Sequence, residues 1–234
     1  KRHKNDNITL CEIWYKLRIN KGYSRNIGSL YRVMRKLGYY KQININNTSK
    51  YVPKKYDTPS MIGVKWQVDV KFVPNECKSD VIPLDKRFYQ YTCIDEASRE
   101  RFIYPYKEQS SYSTVDFVKR AIVYFGYQPQ IIQTDNGGEF THISETTRIH
   151  PLDVLCNSLN IEHKLIRPRT PRHNGKVERS HRKDQERFYY KRVFVSFEDF
   201  KEKLRHWSRE YNNFPMQPLK WRSPNQKYLE FLTL

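Results

Sequence analysis

The sequence predicts an α/β fold: a mixed sheet flanked by helices, preceded by a small all-helical domain. Three observations carry that expectation. Three stretches of strand pattern precede the first long helix of the body, strands and helices then alternate, and residues 1–40 hold two short helical patterns without a strand pattern. The domains expected are a helix-turn-helix over 1–40, truncated at its start since the first residue is Lys1, a linker over 41–60, and a body with a C-terminal helical extension over 61–234.

From Thr9 to Arg18, Leu10, Ile13, Trp14 and Leu17 recur at helical spacing, with Thr9 available as N-cap. After Gly22, Ser24 is read as the cap of a second helix whose apolar residues run from Ile27 to Leu37 and stop at Gly38. Arg25, Asn26, Arg32, Arg35 and Lys36 fall on its polar side, types suited to phosphates and base edges in a major groove; an ordinary solvated face explains the same spacing equally well. Residues 41–60, with Pro53, Pro59 and little periodicity, read as linker.

Beyond it, Val64, Trp66, Val68, Val70 and Phe72 alternate with Lys65, Gln67, Asp69 and Lys71, the period of a strand with one apolar face. Residues 88–95 and 101–106 read as two strands joined in a hairpin by Glu96-Ala97-Ser98-Arg99. A helix capped by Ser113 carries Val115, Val118, Ile122 and Phe125 to a stop at Gly126. There follow a buried strand at 130–133, a small helix near 152–159, a strand at 161–166, a basic helix capped by Asn174 and running to about Arg192, and an amphipathic helix from Phe197 to Tyr211.

The chain of 234 residues carries a net charge of +18, and +11 of it lies in residues 1–60. Residues 164–192 hold 11 basic and 3 acidic residues, so positive charge gathers a second time around Glu178. Such a balance suits a polyanionic partner, although ribosomal and membrane-surface proteins share it. No apolar run approaches membrane-spanning length and no leader is visible, so the expectation is a soluble, cytoplasmic protein. Cys11, Cys77, Cys93 and Cys156 lie too far apart to suggest a zinc knuckle or a disulfide framework.

Three acidic residues stand out by context: Asp69 inside a strand, Asp135 just past the end of another, and Glu178 in the first turns of a helix after a proline-rich loop. Such positions can converge at the crevice beyond strand ends, where together they would form a carboxylate cage for hard divalent cations such as Mg2+ or Mn2+. Each also has an ordinary explanation. A strand Asp is commonly hydrogen-bonded structure, Asp135-Asn136-Gly137 is a turn sequence, and Glu178 could pair with Arg182 one helical turn on. Asp95 is read as structural in the hairpin turn and Glu139 as a ligand in reserve. His173 and His181 are read as solvated or phosphate-contacting rather than as general bases.

The surrounding words make the three specific. Trp66-Gln67-Val68-Asp69-Val70-Lys71, Thr134-Asp135-Asn136-Gly137-Gly138-Glu139-Phe140-Thr141, and the run from His163 to Arg179 resemble the catalytic domain of insertion-sequence transposases and retroviral-type integrases. Tyr211-Asn212-Asn213 followed by Ser223-Pro224 is similar to that family's C-terminal signature, so the resemblance covers roughly residues 60–231. It implies a ribonuclease H-like fold, Asp69, Asp135 and Glu178 as catalytic ligands of two Mg2+ ions with Mn2+ as substitute, and DNA cleavage followed by strand transfer. The implied partners are double-stranded DNA, both element ends and target, and further copies of the chain on that DNA. Arg167, Arg172, His173, Asn174, Lys176, Arg179, Arg182 and Lys183 are the DNA contacts read around the triad.

Two departures stand against the family pattern. Between Asp135 and Glu178 lie 42 residues, longer than the family's compact spacing, with the excess expected between His142 and Pro151. Gln185 occupies the position where many relatives place a basic residue two turns after the glutamate. The competing readings are a nuclease of the same fold that never joins, and an inactive DNA-binding protein.

Overall fold

The structure, a computed structural model, describes residues 9–39, 57–83, 85–142, 146–166, 174–190 and 192–233. The chain divides into two compact units, Lys1–Asp57 and Thr58–Leu234. The expected linker over 41–60 lies outside the described residues except for 57–60.

The first unit is a helical pair, α1 (Leu10–Lys21) and α2 (Ile27–Lys36). Thr9 opens α1 as expected, its hydroxyl taking the Glu12 N–H while the Glu12 carboxylate takes the Thr9 N–H. Gly22, at φ 63°, supplies the left-handed stop. The cap of α2 is Asn26, not Ser24: Asn26 Oδ1 accepts the Ser29 N–H at 2.8 Å. Ser24 instead falls in the turn, two residues before the cap, where Trp14 Nε1 donates to the Arg25 carbonyl at 2.9 Å.

The second unit is built on an open five-stranded sheet in the order β3-β2-β1-β4-β5. β1 (Lys65–Phe72), β2 (Tyr89–Asp95) and β3 (Arg101–Tyr106) are an antiparallel meander; β4 (Ile131–Thr134) and β5 (Glu162–Leu165) add parallel to β1. Crossovers pass through α3 (Ser111–Phe125) and α4 (Pro151–Ser158); α5 (Gly175–Lys183), α6 (Phe197–Asn212) and α7 (Pro224–Leu232) follow. This is the mixed, helix-flanked sheet of the ribonuclease H-like fold, with a small helical pair ahead of it.

Period-two alternation gives β1 and β2 one apolar and one polar face. Trp66, Val68, Tyr91 and Cys93 pack against Phe117, Val118, Phe125 and Cys156 of α3 and α4. Past the sheet's opposite side, Phe88 and Ile103 join Phe188, Tyr189, Phe194, Phe200, Leu204 and Trp207 in a second cluster. The alternating partners in β1 and β2, Gln67, Gln90 and Thr92, are polar yet buried. Their face is therefore covered, not solvated, and every polar atom on it needs a partner.

Several sequence expectations shift. Ser110, rather than Ser113, caps α3, its hydroxyl taking the Ser113 N–H at 3.1 Å. The basic helix does not run as one α-helix to Arg192: α5 ends at Lys183 and a π-helical turn continues over Asp184–Tyr189. A π turn brings residues five apart onto one face. Asp184 and Tyr189 accordingly both reach Gln90, at 2.8 and 2.6 Å. The helix α7 was not expected; a capping box of Ser223 and Gln226 with Pro224 in the first turn starts it. Cys11, Cys77, Cys93 and Cys156 are free thiols, the last three buried.

Candidate active site

Asp69 sits in β1 directly opposite Thr92 of β2, so the two side chains share a face. On the other side, the parallel register pairs Gln67 with Gln133. Continued two residues along, that register leads to Asp69 and to Asp135, the residue just past the end of β4, and the charge of Asp69 is felt at the Asp135 carboxyl. Asp135 Oδ1 takes the Gly137 N–H at 2.9 Å, the Asx turn that its sequence allows. That turn engages one carboxylate oxygen and leaves the other outside it.

Glu178 lies in the first turn of α5, the helix that covers the polar face of β1 and β2. The expected side-chain cap from Asn174 is not made, and Asn174 Oδ1 is buried without a partner among the described residues. The cap comes instead from the strand: Gln67 Oε1 accepts the N–H groups of Lys176 and Val177 at 3.0 and 3.1 Å.

Asp135 and Glu178 both sense the charge of Asp69. Burial lifts the Asp135 carboxyl above its usual range, the Gly137 N–H opposes, and the charge of Asp69 adds to the rise. Desolvation and the charge of Asp69 raise Glu178, with Asp135 adding and His181 opposing. Among the described residues neither Asp135 nor Glu178 has an ion-pair partner. The pairing of Glu178 with Arg182 does not form, because Arg182 Nε pairs with Glu186 at 2.9 Å. Like charges brought near one another favour a cation between them. Among the described residues, no three His, Cys, Asp or Glu side chains close a ready-made metal cage.

His181, read from the sequence as a solvated or phosphate-contacting side chain, is instead largely enclosed. Its Nδ1 lies 3.2 Å from Asp69 Oδ2 and its Nε2 lies 2.9 Å from the Thr92 hydroxyl. The signal was available: His181 follows Glu178 by three residues, on the same helical face. The Thr92 hydroxyl also accepts from Gln90 Nε2 at 3.1 Å. Gln90 in turn donates to the fully buried Asp184, which takes Arg101 at 2.8 Å and Trp207 Nε1 at 2.6 Å. Asp95 is structural as expected, its Oδ1 taking the Ala97 and Ser98 N–H groups and its Oδ2 that of Gly63. Glu139 is held by Gln109 Nε2 at 2.5 Å.

The residues read as DNA contacts separate into groups. Arg25, Arg32, Arg35 and Lys36 are exposed on α2 and the turn before it, while Asn26 serves as the helix cap. Arg179 and Arg182 are exposed on α5; Lys183 is half-buried over the rings of Tyr211 and Phe214. Lys176 is 9% exposed and its Nζ is held by Glu96 at 2.9 Å, and Asn174 is 2% exposed, so both are built into the body. Arg167, Arg172 and His173 lie outside the described residues.

Two family models, each described as an integrase core domain, match residues 59–171 and 159–224. The chain belongs to the integrase core family. A putative integrase, ORF3, of Spiroplasma virus SpV1-C74 is 29% identical over 202 residues, 80% of this chain and 53% of that protein. The retrovirus-related Pol polyprotein of transposon RE2 from Arabidopsis thaliana is 29% identical over 106 residues, 44% of this chain and 7% of the polyprotein. This integrase-core chain thus spans about half of the first relative and a small part of the second.

Among solved structures, a simian T-cell lymphotropic virus intasome in complex with PP2A regulatory subunit B56 gamma aligns over 91% of this chain and 73% of that one, with TM-score 0.57 and 17% identity. The HTLV-2 integrase catalytic core in complex with magnesium aligns over 72% of this chain and 97% of that one, with TM-score 0.53 and 19% identity. At these identities the likeness shows the fold. Among the described residues no helix of this integrase core is long and apolar enough to cross a membrane.

Proposed function

We propose that the chain is a DNA transposase or integrase that cuts DNA at element ends and joins the cut strand to a target, using Asp69, Asp135 and Glu178 as metal ligands. The observation that carries this reading is that Asp135 and Glu178 both converge on Asp69: burial first and then the charge of Asp69 raise each carboxyl, and neither has an ion-pair partner among the described residues. The donor set is all carboxylate oxygen, which fits Mg2+ or Mn2+ and not a soft or thiophilic ion. The magnesium in the HTLV-2 core supports the same choice. When bound between these carboxylates, magnesium would supply Lewis acidity to the attacking and leaving oxygens of a phosphodiester.

The protein's own contributions follow from position. Asp69, on the central strand, is shared ground between Asp135 and Glu178, and His181 sits against its Oδ2. Arg179 and Arg182 are exposed beside Glu178, and in this reading they would hold phosphates of the DNA and so orient the scissile bond. The exposed cations of α2 supply a second, separate grip for duplex DNA, and the family supports assembly of several copies on paired ends.

Incubation of the full chain with Mg2+, labelled duplex from the DNA flanking its gene and a supercoiled target plasmid tests the reading. Label joined to the plasmid, and lost in Glu178→Gln with DNA binding retained, is expected. Nicking without joining would favour a nuclease; salt-sensitive binding with no turnover would favour an inactive DNA-binding protein.

A further inference from the structure

Gln67 is 1% exposed and stands two residues before Asp69 on the same face of β1. Both ends of its amide are engaged. Oε1 accepts the N–H groups of Lys176 and Val177, at 3.0 and 3.1 Å, and Nε2 donates to Glu96 Oε1 at 2.7 Å. The amide can face only this way, since reversal would set NH2 against two N–H donors and a carbonyl against a carboxylate. Lys176 and Val177 are the second and third residues of α5, whose N–H groups the helix itself leaves unpaired. Glu96 completes a ring: its Oε2 and its backbone carbonyl take Lys176 Nζ at 2.9 and 3.1 Å. Strand, hairpin turn and helix start are thereby joined through one glutamine, and Glu178 is the next residue after the two capped amides.

We propose that Gln67 is a positioning residue for the metal-dependent reaction: by capping α5 from β1 it fixes where Glu178 stands relative to Asp69. This rests on the three-carboxylate reading given above. It gives the Gln67 of the first motif and the Lys176 of the third a common physical task, neither touching the reacting atoms. Partners that orient a ligand from behind govern metal affinity as well as the ligands themselves do.

The test uses the full chain, with Mn2+ affinity by titration calorimetry and amide hydrogen exchange over 175–182 without metal. Gln67→Leu keeps the size and removes the amide with its bonds to α5 and Glu96. It is expected to weaken Mn2+ binding by about ten-fold or more and to speed exchange of the Lys176 and Val177 amides. The exchanged pair Gln67→Glu with Glu96→Gln rebuilds the ring, a carboxylate now accepting the two N–H groups and an amide donating to it, and is expected to recover most of the lost affinity. Wild-type Mn2+ affinity in Gln67→Leu with faster exchange would overturn the proposal, leaving a cap that is structural only. Recovery of thermal stability without recovery of affinity in the exchanged pair would overturn it too, and keeps the test decisive should Gln67→Leu fail to fold. Glu178→Gln is the separating control: if it binds Mn2+ like wild type, the three-carboxylate reading itself falls.

Discussion

His181 Nδ1 lies 3.2 Å from Asp69 Oδ2, and the same ring reaches the Thr92 hydroxyl through Nε2 at 2.9 Å. The relationship follows from register: Asp69 and Thr92 are cross-strand partners, and a ring from α5 above them spans the pair. Thr92→Val preserves shape and removes the hydroxyl, freeing the ring to turn about its bond to the helix. Strand transfer is expected to drop by about ten-fold or more, with the Mn2+ requirement shifted to higher concentration. Unchanged metal dependence in steady-state assays would show that the ring does not steer Asp69.

Asp184 is fully buried and its carboxylate takes Gln90, Arg101 and Trp207. Burial would raise it, but Arg101 and His181 with the two neutral donors hold it below the ordinary range. Arg101 stacks on Tyr211 at 3.8 Å, and its Nε and second terminal nitrogen have no hydrogen-bond partner among the described residues, so Asp184 is its counter-charge. Asp184→Asn therefore strands a buried guanidinium. The expected loss is about 3–5 kcal/mol by denaturant unfolding at neutral pH. A loss below about 1 kcal/mol, the value of an exposed pair, would contradict this account of the π turn.

Glu100 is 6% exposed, with one oxygen near Tyr124 OH at 3.2 Å and the other without a partner among the described residues. Burial pushes its carboxyl from about 4.5 up to about 7, against the Tyr124 bond and helped by Asp95. The native state then holds this proton more tightly than the unfolded state. Its stabilising contribution is complete below the unfolded value near 4.5 and disappears as pH rises through about 7. Glu100→Gln should match wild type near pH 4 and exceed it above about pH 8 by an amount on the order of 3 kcal/mol. Thermal unfolding across that range checks the prediction, and a constant offset at every pH would contradict it.

The exposed cations of α2 are expected to contribute to the salt dependence of DNA binding. Replacing Arg32 and Arg35 by alanine should make the slope of log affinity against log salt shallower by about 0.9 for each phosphate no longer neutralised. Fluorescence anisotropy on a duplex at several salt concentrations measures it. An unchanged slope would mean that the helix presents an ordinary solvated face.

How much was legible in the sequence depended on whether the signal was local. Thr9 and Glu12 reveal their cap because both partners sit within one turn, and the alternation around Asp69 reveals its strand. The cap of α5 was not legible, because the acceptor, Gln67, lies over 100 residues from the amides it serves while the adjacent Asn174 offers a plausible local substitute. Lys176 read as a phosphate contact for the same reason: its partner Glu96 is 80 residues away. The π turn at Asp184 is equally hidden, since Arg101, Gln90 and Trp207 that draw the side chain inward come from three other elements. The three carboxylates stood out only through the family-like words around them, since each alone had an ordinary local explanation.

The central claim is that Asp69, Asp135 and Glu178 jointly hold divalent metal, and anomalous diffraction from crystals of the full chain soaked in Mn2+ tests it most directly. Manganese density bounded by oxygens of all three side chains, lost from the Glu178 side in Glu178→Gln, is the expected result. Manganese bound elsewhere, or no site among these carboxylates at concentrations that support DNA cleavage, would contradict the account.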